Sequence, residues 1–201
     1  MKPRRIIRRA SLAGAAAGLP QTLHPVLRRI YGARGVRGVE DLDLSLERLL
    51  PIRSLGGIEA AVDLLLQCRR SGGSVLVIGD FDADGATSTA VVVRQLRRLG
   101  FTAPQFLVPD RFKFGYGLTP EIVRVAATLR PGLIVTVDNG VSSLEGVAEA
   151  RRLGIEVLVT DHHLPGATLP EAAAIVNPNL PGEPFASKAL AGVGVAFYVM
   201  A

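Results

Sequence analysis

The sequence predicts an α/β protein: a mostly parallel, Rossmann-like sheet covered by helices on both faces, preceded by a helical N-terminal segment. Three observations carry this. Short runs rich in Val, Ile and Leu recur and are bounded by Gly, Pro or Asp, as strands are. Helix-period patterns fall between them, giving a β-α-β rhythm. The runs are solidly apolar and do not alternate, which marks strands buried on both faces.

Residues 1–20 read as a flexible basic tail, 21–73 as a helical prelude and 74–201 as the α/β domain. In the prelude, Leu23, Val26, Leu27, Ile30 and Tyr31 give helical spacing over Gln21–Gly32. A short helix is expected over Asp43–Leu50, and a firmer one over Gly57–Arg70 with Ile58, Val62, Leu65 and Leu66 on its face. Ser71-Gly72-Gly73 ends it. The first strand is Val75–Ile78. A helix follows from about Thr87 to Leu99 and stops at Gly100. Gln105–Val108 is the second strand, and a loop over 109–118 carries Arg, Lys, Phe, Tyr and Gly. Thr119-Pro120-Glu121 has a cap, a proline at the first helical position and an acid in the first turn. Leu133–Val137 and Ile155–Thr160 are strands, joined by a helix whose Ser142 and Glu145 have capping-box spacing. A short strand at Ala174–Val176 precedes Asn177-Pro178-Asn179, and Ser187–Ala201 reads as an apolar helix. The phrase Arg-Arg-Leu-Gly occurs at 97–100 and 151–154, as recurring helix-to-strand chemistry.

Composition narrows the class. Of 201 residues, 48% are hydrophobic, enough for a sizeable core. A single cysteine, Cys68, excludes an internal disulfide and fits a reducing, cytoplasmic compartment. No apolar run approaches the ~20 residues that span a bilayer. Nine of the 23 Lys and Arg residues fall in 1–37 with no acid, leaving 14 basic against 18 acidic residues beyond. This basic arm is a candidate for phosphate contact or a solvated tail. Arg8-Arg9-Ala-Ser-Leu imitates a twin-arginine export signal, but the apolar stretch after it is short and broken by Gly14 and Gly18.

The chemistry gathers after strands. Asp80, Asp82 and Asp84 follow the first strand in the stretch SVLVIGDFDADGATS, residues 74–88. Three like charges so close need a partner, and a hard divalent cation is the natural one. An EF-hand loop would need Glu at its twelfth position, where Val91 stands. A dehalogenase-type phosphatase would place its nucleophilic Asp directly after the strand, but Gly79-Asp80-Phe81 intervene before Asp82. A solvated acidic turn is the plain alternative. Asp138 follows the third strand, and Asp161-His162-His163 the fourth. Ligands of open parallel sheets bind beyond the carboxyl ends of the strands, so all three clusters should share one rim. That reading requires the carboxylates to lie within ~10 Å of the His162 imidazole, the reach of a two-ion cluster.

These motifs resemble the DHH phosphoesterase superfamily, and within it the RecJ-type single-strand-specific exonucleases. GDFDADGATSTA (79–90), RFKFGYGLTPE (111–121), IVTVDNGVSS (134–143), VTDHHLPG (159–166), IVNPN (175–179) and LAGVGVAFY (190–198) carry the likeness, in order and spacing. It runs from about residue 22 to the end and sets the dehalogenase reading aside. The resemblance implies metal-dependent hydrolysis of single-stranded DNA from its 5′ end, in recombination and repair, with two manganese or magnesium ions. It implies that Asp82, Asp84, Asp138 and His162 bind the ions and Asp138 bridges them. Asp80 is implied as a ligand or a partner of one, His163 as a phosphate contact, and Asp161 as the residue orienting the histidine pair, with Asn139 beside it. A single-strand-binding protein and a helicase are implied as partners. Arg111 and Lys113 are candidates for phosphate contact, and Phe112, Phe114 or Tyr116 for base stacking; the same loop could instead pack its aromatics on the sheet. Thr87, Ser88 and Thr89 are expected to cap their helix, with help in holding an anion as the alternative. The family pattern includes a further Asp downstream of the GVG segment, whereas no Asp follows Asp161. This implies an N-terminal portion with weak metal binding and little activity alone. Rival readings are hydrolysis of short oligonucleotides, cyclic dinucleotides or inorganic pyrophosphate, or a non-catalytic metal- and DNA-binding module.

Overall fold

A computed structural model describes residues 17–201. The basic residues Lys2, Arg4, Arg5, Arg8 and Arg9, and with them the twin-arginine-like motif, lie outside the described residues. The chain forms two compact units that divide between Leu49 and Leu50.

The first unit holds helix α1 (Pro25–Ala33) and two 3₁₀ turns, Glu40–Leu42 and Leu46–Arg48. α1 starts later than its periodicity predicts. Residues ahead of a proline avoid helical geometry, and the His24 ring accepts the Val26 N–H at 3.2 Å to cap the helix. The helix expected over Asp43–Leu50 is absent. Leu44 and Leu46 face solvent, so no packed face sustains an α-helix there.

The second unit runs through a 3₁₀ turn (Ile52–Ser54), α2 (Ile58–Arg70), β1 (Val75–Gly79), α3 (Ala83–Arg98), β2 (Gln105–Leu107), α4 (Arg111–Phe114), α5 (Pro120–Thr128), β3 (Leu133–Val137), α6 (Leu144–Arg152), β4 (Glu156–Thr160), β5 (Ala174–Val176) and α7 (Gly192–Met200). The five strands form one parallel sheet in the order β2-β1-β3-β4-β5. Successive side chains of a strand point to opposite faces, and both faces are covered. Val75, Val77, Leu133, Val135 and Leu158 pack against α2, α3 and α7. Leu76, Ile78, Ile134, Val157 and Val159 pack against α5 and α6. The prelude helix α2 thus shares its core with α3 and α7, on a face that keeps Ile58 and Leu65 of the expected stripe but not Val62 and Leu66. Ile58, Ala61, Leu64, Leu65 and Cys68 are buried, whereas Val62 and Leu66 are each 37% exposed.

Three further helix starts differ from expectation. α3 begins at Ala83 because the Asp82 carboxylate caps it, accepting the Gly85 N–H at 3.0 Å. Thr87, Ser88 and Thr89 therefore sit inside the helix and cap nothing; their hydroxyls donate to the carbonyls of Ala83, Asp84 and Gly85 one turn back. At α6 the cap position is Ser143 and no side chain caps the helix; the Ser143 hydroxyl accepts the Leu118 N–H at 3.1 Å instead. α7 begins only at Gly192, because Lys188 pins the preceding loop by donating to the carbonyls of Pro178 and Glu183.

Candidate metal centre

The strand order reverses direction between β1 and β3: the chain leaves β1 for β2 on one side and later continues from β3 to β4 on the other. Such a switch point opens a crevice beyond the carboxyl ends of the strands. Gly79 of β1 pairs with Val137 of β3, which pairs with Thr160 of β4. The register therefore brings Asp80, Asp138 and Asp161, each next in sequence, to one rim.

Close backbone packing builds the β1 turn. A Cβ at Gly85 would run into the backbone of Asp80, so only glycine lets α3 start so near the strand end. Asp80, Asp82 and Asp138 each offer a carboxylate oxygen, and these lie within 4.8 Å of one another. Asp138, His162 and His163 form a second such group within the same limit. Asp138 belongs to both. Its Oδ1 is 3.1 Å from His162 Nε2, and Asp84 Oδ2 is 3.6 Å from that nitrogen. Asp84 and Asp138 are thus well inside the ~10 Å of the imidazole that a shared two-ion cluster requires, and Asp80 and Asp82 join them through Asp138.

Asp138 is 2% exposed, has φ of 61°, and its Oδ1 has no hydrogen-bond partner among the described residues. Burial, then the charges of Asp84 and Asp82, push its pKa up to about 7. A buried carboxylate oxygen that makes no hydrogen bond, sits among like charges and has the His162 ring nitrogen 3.1 Å away is placed to be a cation ligand. The donor set of carboxylate oxygens and imidazole nitrogen fits divalent manganese or magnesium.

Asp161 organises the histidine pair. It is buried, and its Oδ1 accepts the N–H groups of His162 (2.7 Å) and His163 (3.1 Å) and meets His163 Nδ1 at 2.7 Å. Its Oδ2 accepts the Val141 N–H at 2.9 Å. For His163, burial opposes the charged ring, but the Asp161 hydrogen bond and the charges of Asp161, Asp138 and Asp80 raise its pKa above the ordinary value. Asn139 Nδ2 donates to the carbonyls of Ile78 (3.2 Å) and Val137 (2.9 Å), tying the β1 and β3 ends together.

Asp80 faces a competitor. Arg111 Nη2 donates to both its carboxylate oxygens at 2.9 and 2.8 Å, while the guanidinium lies 4.0 Å from the Phe81 ring centroid. Tyr116 reaches His163 with its hydroxyl at 3.3 Å. Burial, then the charges of Asp161 and Asp80, raise the Tyr116 pKa, so this hydroxyl stays protonated. Phe112 and Lys113 project into solvent, while Phe114 is partly buried against the α5–α6 core.

Sequence reasoning gave no role to the Asn-Pro-Asn segment. Asn177 Nδ2 donates to the His163 carbonyl at 3.0 Å and Asn179 Nδ2 to the His162 carbonyl at 2.6 Å, so this segment holds the histidine backbone from β5. Its signal was two amides following a short strand.

A family model, the DHH family N-terminal domain, matches residues 74–201. The chain belongs to the DHH family. It is 55% identical over 200 residues to the single-stranded-DNA-specific exonuclease RecJ of Salmonella typhimurium, covering 100% of this chain and 34% of that protein. To RecJ of Escherichia coli it is 56% identical over 184 residues, covering 92% and 32%. The crystal structure of exonuclease RecJ bound to manganese matches with a TM-score of 0.68 at 38% identity, covering 76% of this chain and 38% of the other. The DHH chain spans about a third of the length of these curated relatives.

Proposed function

We propose that this chain carries the metal centre of a single-strand-specific DNA exonuclease that hydrolyses phosphodiester bonds from the 5′ end. Asp82, Asp84, Asp138 and His162 are the metal ligands in this reading, with Asp80 available when Arg111 releases it. The carrying observation is Asp138, whose buried carboxylate is common to both potential ligand groups. The RecJ relatives are named as single-stranded-DNA-specific exonucleases, and similar structures hold manganese or magnesium. Two divalent ions bound there supply Lewis-acid charge that acidifies water and screens phosphate oxygens.

The chain's own residues do the rest. Asp161 holds His163 by Nδ1, leaving Nε2 to carry a proton to a leaving oxygen or to pair with a phosphate oxygen. The Tyr116 hydroxyl lies beside the ring and donates to the Asp138 carbonyl at 3.4 Å. Arg111, Lys113, Phe112 and Tyr116 form the nucleic-acid contacts, two cations for phosphates and two rings for bases. Among the described residues no helix is long and apolar enough to cross a membrane. With the single cysteine, this fits work in the cytoplasm on recombination and repair intermediates, alongside a single-strand-binding protein and a helicase.

Asp138→Asn in the protein that carries this sequence tests the reading. Manganese-dependent release of nucleotides from 5′-labelled single-stranded DNA should fall at least about 100-fold, as loss of a metal ligand implies. Binding of the same DNA, followed by fluorescence anisotropy, should persist. A variant that digests DNA at the wild-type rate sinks the proposal.

A further inference from the structure

We propose that the first turn of α7 is part of the metal centre, so that docking of this turn and cation binding strengthen each other through Asp84 and Gly192. The proposal rests on the metal reading above. Asp84 stands in the first turn of α3, yet its carboxylate serves a helix more than 100 residues later. Oδ2 accepts the Gly192 N–H at 2.8 Å and Oδ1 the Val193 N–H at 2.7 Å. The cap position of α7 is Ala191, which has no side-chain oxygen, so Asp84 supplies the capping from outside. The same Oδ2 lies 3.6 Å from His162 Nε2.

Gly192 closes the other side. A Cβ there would lie 2.6 Å from Asp138 Oδ1, the buried oxygen that also faces His162 Nε2. One helix turn thus touches two proposed ligands, one through its amides and one through a missing side chain. Beyond this turn, Val195, Ala196 and Tyr198 sit in the core, so the body of α7 is fixed and its first turn is the part that can open. A cation that fixes the Asp84 carboxylate also fixes the acceptor of both amides. By linkage, amides that hold the carboxylate in place raise cation affinity by the same factor. Gly192 and Val193 are positioning residues, and neither is a ligand.

Amide hydrogen exchange on the whole chain, with and without manganese, is the test, with manganese affinity measured by calorimetry. The Gly192 and Val193 amides should exchange about 5-fold or more slowly with manganese, a coupling of ordinary size. Amides of α6, such as Val147 and Ala150, should change less. Val193→Pro removes one donor at a first-turn position where proline is tolerated. It should weaken manganese binding by a similar factor, while Val193→Ala, which keeps the N–H, binds as wild type does. Binding that leaves Gly192 and Val193 exchange at the metal-free rate overturns the coupling but spares the metal reading. Equal protection of α6 and α7, the mark of global stabilisation by a ligand, overturns it too. Absence of manganese binding removes the metal reading and the coupling together. Should Val193→Pro not fold, the wild-type exchange pattern alone decides.

Discussion

Asp138 holds a left-handed backbone conformation at φ 61°, which Asp and Asn tolerate better than other side chains. Asn is therefore a cleaner replacement than Ala, since it removes charge without adding backbone strain. The raised pKa sets a sign. The ordinary value is 3.8 and the folded value about 7, so between these the unfolded chain ionises while the folded carboxyl keeps its proton. Stability of the metal-free protein should fall as pH rises through that window and level off above it. In chelator at pH 7.5, Asp138→Asn should resist urea better than wild type, with the gap closing toward pH 4; the opposite order at pH 7.5 would contradict the assignment. Phe112, 99% exposed, makes the complementary case. Phe112→Ala should leave the urea midpoint unchanged yet weaken single-stranded DNA binding by about 1–3 kcal/mol, the worth of one stacked base. At this scale the residue types were legible, since carboxylates and paired histidines after strands have few other uses. What Asp84 does for α7 was not, because its amide partners lie more than 100 residues away and any residue but proline has an N–H.

Among the elements, strands were easier to read than helix faces. β3 and β5 match their apolar runs, because a strand buried on both sides needs nothing beyond continuous apolar sequence. α2 shows the limit. Its apolar residues wrap around more than one stripe, so periodicity gives a helix without saying which stripe meets the core. The sheet, α3 and α7 chose Leu64, Leu65 and Cys68. Leu64→Ala should accordingly cost about 2–5 kcal/mol, and Leu66→Ala less than about 1 kcal/mol; equal losses in denaturant titration would restore the other face. Helix starts failed where the cap was a residue that reads first as a ligand or a loop, as Asp82 and His24 do.

For the whole molecule, every residue of the candidate centre lies in the unit Leu50–Ala201. A chain starting at Leu50 should therefore bind manganese as tightly as the entire chain by calorimetry; a marked loss would give the first unit a share in the site. Local patterns were enough to read the fold class, the parallel sheet and the carboxylate and histidine clusters, since strand periodicity and strand-end chemistry are local properties. Tertiary structure alone decided that Asp138 is shared by both ligand groups, that Arg111 occupies Asp80 and that Asp84 closes α7. Those outcomes depend on strand order and on distances between segments remote in the chain, which no local pattern encodes.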